Sequence, residues 1–147
     1  MISVLLVDDH AYVRKALTYL LEATDDIQIM ATASNGLEAV TQAYSQCPHV
    51  VVIDVSMPVL NGIEATRQIL LRCHRTRVMM LSMFDTQGHI HRALDVGALG
   101  YVLKDEVSND LLAGIRSLSR GTRFFSQRIV GIAEKYLHQK RKIGDDG

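Results

Sequence analysis

Apolar runs of strand length alternate with segments of helical period through most of this chain. Residues 2–7 (ISVLLV) form the first run. Residues 10–24 follow, with Val13, Ala16, Leu17, Leu20 and Leu21 at i, i+3, i+4, i+7 and i+8. That spacing draws one apolar stripe along a helix, so the pattern predicts a strand and then an amphipathic helix. The alternation repeats, with strands predicted over 27–33, 49–53, 77–82 and 100–103 and helices over 37–46, 62–72, 86–96 and 107–120. Pro48 stops the second helix, while Gly97 and Gly121 stand where helix ends favour glycine. Leu37, Val40 and Tyr44 are expected to face inward, as are Ile63, Thr66, Ile69, Leu70, Leu111, Ile115 and Leu118. Asn35-Gly36 reads as a simple turn.

The central runs, Val4-Leu5-Leu6-Val7 and Val50-Val51-Val52-Ile53, are continuously apolar. Strands buried on both faces read this way, which favours a parallel sheet covered by helices on each side. The prediction is therefore a doubly wound α/β domain of five strands and five helices, ending near residue 121. Residues 122–147 read as a linker or extra helix followed by a polar, mobile tail. Ile129, Ile132, Ala133 and Tyr136 give that helix a modest apolar stripe.

Polar residues interrupt this pattern at the strand ends. Asp8 and Asp9 close the first strand, Asp54 the third, Ser82 the fourth and Lys104 the fifth. In a parallel sheet these ends share one edge, and open α/β sheets bind their ligands there. Three carboxylates suit a hard divalent cation, which takes oxygen ligands. A carboxylate is also a nucleophile for phosphorus. The lysine ammonium and serine hydroxyl would meet phosphoryl oxygens.

Composition narrows the field further. The chain has 147 residues, 48% hydrophobic and 22% charged, with sixteen basic and sixteen acidic residues and a formal net charge of zero. Bulk charge therefore offers no attraction to nucleic acid. Cys47 and Cys73 lack metal-ligand spacing and are too few for a disulfide framework, so two free thiols in a reducing cytoplasm are expected. No apolar stretch reaches the ~20 residues a membrane span needs.

The motifs Val7-Asp8-Asp9-His10, Asp54-x-x-Met57-Pro58-x-x-x-Gly62, Leu81-Ser82 and Gly100-Tyr101-x-x-Lys104 occur in order, each at a strand end. Over roughly residues 1–121 the chain resembles the receiver domain of two-component response regulators. The resemblance implies a flavodoxin-like sheet of order 2-1-3-4-5. It makes Asp54 the acceptor of a phosphoryl group from a sensor histidine kinase. Mg²⁺ would be held by Asp8, Asp9, Asp54 and the backbone carbonyl of Ser56. Lys104 would bind the phosphoryl group, Ser82 would swing toward it, and Tyr101 would turn inward behind. The output implied is homodimerisation or control of a DNA-binding domain. His10, Gly97-Ala98 and Gly121-x-Arg123-x-Phe125-Ser126 resemble regulators whose receiver precedes a LuxR-type helix-turn-helix domain, which this chain does not include.

Two positions depart from the family pattern. Asp105 replaces a proline that often follows the lysine in a cis peptide, and Ser82 replaces a threonine while keeping its hydroxyl. Met83 and Phe84 are placed to shield the phosphoryl group. Two other functions compete with this one. A pseudo-receiver would lack part of the acid, hydroxyl and lysine set. An Asp-nucleophile phosphohydrolase would need a second acid where Ser56 stands. The remaining features have plain readings: His89 and His91 do not share a helix face, and Lys135, Lys140, Arg141 and Lys142 form a solvated basic cluster. His10 begins a helix beside the acids and could line their pocket.

Overall fold

The computed structural model describes the backbone of residues 1–146 and the side chains of residues 1–143. The elements run β1 (Ile2–Val7), α1 (Ala11–Glu22), β2 (Ile27–Ala33), α2 (Gly36–Ser45), β3 (Val50–Asp54), α3 (Gly62–Arg72) and β4 (Arg77–Ser82). They continue with α4 (Gln87–Asp95), β5 (Gly100–Leu103), α5 (Val107–Ser119), β6 (Phe124–Phe125) and α6 (Val130–Asp146). All neighbouring strands pair in parallel, in the order β2-β1-β3-β4-β5-β6.

Every residue of β3 is buried because the sheet has a core on each face. Alternate residues point opposite ways along a strand. Val51 and Ile53 join Ala39, Val40, Ala65, Ile69 and Ile90 beneath α2, α3 and α4. Val50 and Val52 join Leu17, Leu21, Leu111, Ile115 and Leu118 beneath α1 and α5. Helices of both kinds are tied back to the sheet by their apolar stripes, which leaves the strand ends free as a platform.

The sheet has six strands where five were expected. Phe124 N–H donates to the Leu99 carbonyl at 3.2 Å and Ser126 N–H to the Tyr101 carbonyl at 3.0 Å, adding β6 to the edge. Two residues are too few to leave a period in the sequence. The segment expected as a linker or extra helix holds the strand β6 and the helix α6. Ile129 and Ala133 are fully buried in the core shared with α4. Two polar residues of α6 also have partners: Tyr136 stacks on His91 with ring centroids 3.8 Å apart, and Lys140 Nζ reaches Asp95 at 2.5 Å.

Two local expectations are corrected. Leu37 is exposed, and α2 presents Gly36, Ala39, Val40 and Ala43 instead. A Cβ on Gly36 would fall 2.0 Å from the Leu60 carbonyl oxygen, so that close approach rotates the helix away from Leu37. Asn35 is no simple turn residue either. Its side chain accepts from Glu38 N–H at 2.9 Å while the Glu38 carboxylate accepts from Ser34 N–H at 3.1 Å, a reciprocal cap on α2.

The two cysteines form a Cys47–Cys73 disulfide with Cα atoms 5.6 Å apart, correcting the expectation of free thiols. Each follows the C-terminal end of one of two adjacent helices, α2 and α3. Their proximity comes from helix packing, which number and spacing in sequence do not reveal. No helix among the described residues is long and apolar enough to cross a membrane.

Candidate functional site

The carboxyl ends of β1, β3, β4 and β5 bring Asp8, Asp9, Asp54, Ser82 and Lys104 to one edge, as the strand-end reading predicts. Lys104 Nζ lies 2.9 Å from Asp54 Oδ2 and 3.1 Å from Asp8 Oδ2. Asp54 Oδ1 accepts from Ser56 N–H at 3.1 Å. Asp8 Oδ1 accepts from His10 N–H at 2.9 Å, and Arg14 Nη1 donates to the Asp8 carbonyl at 2.6 Å. Arg14 had no place in the sequence reading; only the docking of α1 brings it over the end of β1.

Two of the three carboxylates, Asp8 and Asp54, share one close ammonium. Burial pushes the Asp54 carboxyl above its ordinary value, Lys104 and the Ser56 amide oppose this, and Asp8 adds to the rise. Burial pulls the Lys104 ammonium down, but Asp54 and Asp8 outweigh it and the net shift is upward. Lys104 therefore stays charged at neutral pH.

Asp8 Oδ2 and Asp9 Oδ1 are buried and each meets a single nitrogen, Lys104 Nζ at 3.1 Å and His10 Nδ1 at 3.1 Å, with no other hydrogen bond. Buried carboxylates with so few donors are costly. One ligand atom each from Asp8, Asp9, His10 and Asp54 lies within 4.8 Å of the others. That donor set fits a hard divalent cation such as Mg²⁺.

The loop after β3 holds Asp54 in place through backbone contacts. Val55 N–H donates to the Leu81 carbonyl at 2.9 Å, and Gly62 N–H to the Val55 carbonyl at 2.9 Å. A Cβ on Gly62 would fall 2.1 Å from the Asp54 carbonyl oxygen, so only glycine allows α3 to begin this close. Val59, in the same loop, has φ 72° and is well exposed. The left-handed region is unfavourable for a β-branched residue. Val59→Gly is expected to raise unfolding stability by about 0.5–1 kcal/mol in a denaturant titration. An unchanged midpoint would show that the loop absorbs the strain at no cost.

Ser82 and Tyr101 meet through a residue the sequence did not single out for this role. Phe84 N–H donates to Ser82 Oγ at 2.9 Å, while Tyr101 Oη donates to the Phe84 carbonyl at 2.7 Å. Tyr101 is fully buried, and burial raises its phenol above the usual range despite nearby Ser82. The Phe84 ring stacks on His89 of α4 with centroids 4.1 Å apart. His91 faces Tyr136 instead, so the two histidines do not act as a pair. Met83 and Phe84 line a cavity of about 120 Å³ with His10, Asp54, Ser56 and Lys104.

The Lys104–Asp105 peptide is trans, like every peptide among the described residues. Lys104–Glu106 forms a single 3₁₀ turn, and Asp105 pairs with Arg128 at 3.1 Å.

Residues 4–116 match the model of the response regulator receiver domain. The chain is 34% identical over 146 residues to the transcriptional regulatory protein LiaR of Bacillus subtilis (strain 168), covering 99% of this chain and 68% of that protein. A two-component response regulator of the LuxR family from Aurantimonas sp. SI85-9A1 superposes with TM-score 0.86 at 30% identity, covering 92% of this chain and 96% of that one. The response regulator domain of Thermotoga maritima CheB gives TM-score 0.76 at 34% identity, over 82% of this chain and 97% of that one.

Proposed function

Because the chain belongs to the response regulator receiver domain family, we propose that Asp54 accepts a phosphoryl group from a sensor histidine kinase. The observation that carries this reading is the placement of Asp54 beside Lys104 at 2.9 Å and within 4.8 Å of ligand atoms on Asp8 and Asp9. A nucleophile there has a fixed cation on one side and a metal-shaped deficit on the other. A full nucleophile, hydroxyl and lysine set favours this over a pseudo-receiver.

In the proposed transfer, an Asp54 carboxylate oxygen attacks phosphorus and the phosphorus–nitrogen bond of a phosphohistidine breaks. The electron pair returns to the imidazole of the kinase. Lys104 neutralises charge on the phosphoryl oxygens, and the Ser56 N–H steadies the carboxylate during attack. Mg²⁺, held by Asp8, Asp9, Asp54 and the Ser56 carbonyl, supplies further charge stabilisation when bound.

The switch follows from the hydrogen bonds around Phe84. A phosphoryl oxygen offers Ser82 a charged acceptor, which draws its hydroxyl away from Phe84 N–H. Phe84 is held at its carbonyl by Tyr101 and at its ring by His89, so its displacement is passed to α4. The output proposed for the whole protein is homodimerisation and control of a DNA-binding domain, acting in the cytoplasm.

The test is labelling with a small-molecule phosphodonor and Mg²⁺, with peptide mapping of the modified residue. Modification at Asp54 supports the proposal, and modification only at other residues refutes it. Phe84 and Met83 cover the cavity beside Asp54. Phe84→Ala and Met83→Ala are therefore expected to shorten the lifetime of the phosphorylated protein several-fold, roughly 3–10 fold, by admitting water. Lifetimes equal to wild type would remove the shielding role.

A further inference from the structure

His10 occupies the N-cap position of α1 but does not cap it. Its backbone is extended there (φ −97°, ψ 112°), and its side chain makes no hydrogen bond to the helix. Ser, Thr, Asp or Asn would serve that position better. The imidazole instead turns back over the end of β1, placing Nδ1 3.1 Å from Asp8 Oδ1 and 3.1 Å from Asp9 Oδ1.

A single ring nitrogen cannot satisfy both oxygens as a hydrogen-bond donor. A neutral imidazole carries one N–H, directed along one line. Asp8 Oδ1 already accepts from His10 N–H at 2.9 Å and Asp8 Oδ2 lies 3.1 Å from Lys104 Nζ, so Asp9 Oδ1 is the oxygen left short of a donor. A divalent ion would satisfy it together with Asp8 Oδ1. In octahedral coordination with bonds of about 2.1 Å, adjacent ligand atoms stand ~3.0 Å apart. Those 3.1 Å separations are close to that edge, and the fourth ligand atom, on Asp54, lies within 4.8 Å of the others.

We propose that His10 supplies a nitrogen ligand to the divalent cation of the acidic site. The site thereby favours ions that accept imidazole, with Mn²⁺ as the accessible example, over Mg²⁺. This rests on the reading of the site as a divalent-cation centre in the proposed function. Mg²⁺ is a hard ion that prefers oxygen and water, whereas later divalent ions gain more from a nitrogen donor. Without His10, carboxylates and water would complete the shell and both ions would be held alike. The ring is 63% exposed, so its removal disturbs no core packing.

The experiment compares wild type with His10→Ala, using Mn²⁺ and Mg²⁺ on the unphosphorylated protein. Electron spin-echo measurements on the Mn²⁺ complex read the coordinated imidazole nitrogen directly. Calorimetry gives both affinities, and circular dichroism without metal confirms the fold. The expected result is nitrogen modulation in wild type that is lost in the variant. Mn²⁺ affinity should fall about 10-fold, with Mg²⁺ affinity changed less than about 2-fold. Mn²⁺ bound without nitrogen modulation, or equal losses for both ions, would overturn the role of His10 and leave the acidic site intact. Failure of wild type to bind either ion would overturn the cation centre itself, and this inference with it.

Discussion

Asp54→Asn is expected to abolish phosphoryl acceptance and yet leave a folded protein that is more stable than wild type at neutral pH. The first effect is loss of the nucleophile, since an amide does not form the acyl phosphate that a carboxylate does. Labelling by a phosphodonor should fall by at least about a hundredfold. The second effect follows from the upward shift of the Asp54 carboxyl, caused chiefly by burial and only partly countered by Lys104. A carboxyl whose folded pKa is raised contributes stability below its unfolded value, and that contribution is lost as pH rises through the folded value. Wild type should therefore lose stability across that window, while the asparagine variant should not. Melting temperatures from pH 4 to pH 8 check this, and the gap between the proteins should widen as pH rises. Full labelling of the variant would reject Asp54 as the acceptor. Parallel melting curves would reject the electrostatic account.

Lys104→Met carries the largest expected loss of stability. The Lys104 side chain is 19% exposed and lies against Asp8 and Asp54, which are 0% and 5% exposed at the side chain. Removing the cation leaves two buried carboxylates facing each other. Breaking a buried pair from one side costs about 3–5 kcal/mol. The loss should shrink as pH falls, because protonating either carboxylate in the folded state relieves the repulsion. It should also shrink with added divalent cation, which replaces the missing positive charge. Phosphoryl acceptance should drop about 100- to 1000-fold, as when a single oxyanion partner is removed. Denaturant midpoints with and without Mg²⁺ at several pH values test this. A penalty independent of both pH and metal would mean that the lost methylene packing, not charge, explains the variant.

The placement of these site residues was legible because the rule that reveals it is short-range. A buried parallel strand must end before the chain turns, and a polar residue at that turn lies on the functional edge. Asp8, Asp9, Asp54, Ser82 and Lys104 are each visible this way, and the structure places all five together. The Phe84 clasp was not legible because it uses backbone groups, which every residue has. His10 was noticed beside the acids, but its ring direction depends on how α1 leaves β1. Leu37 misled because helix α2 turns on Gly36, whose need for space comes from Leu60 on another loop.

The apolar pattern by itself determined the order of strands and helices, their parallel arrangement and the residues at the strand ends. Those follow from periods of two and 3.6 residues and from the need to bury apolar surface. Tertiary structure alone decided the Cys47–Cys73 pairing, the addition of β6 and the seating of α6 on α4. The cysteines and β6 lie in stretches too short to carry a period, and the apolar stripe of α6 does not say which face it meets. Tertiary structure also decided that three carboxylates converge near one lysine, which pairs with Asp8 and Asp54 and leaves Asp9 to His10. That imbalance arises only when separate strand ends converge, because charge excess is a property of distances in space.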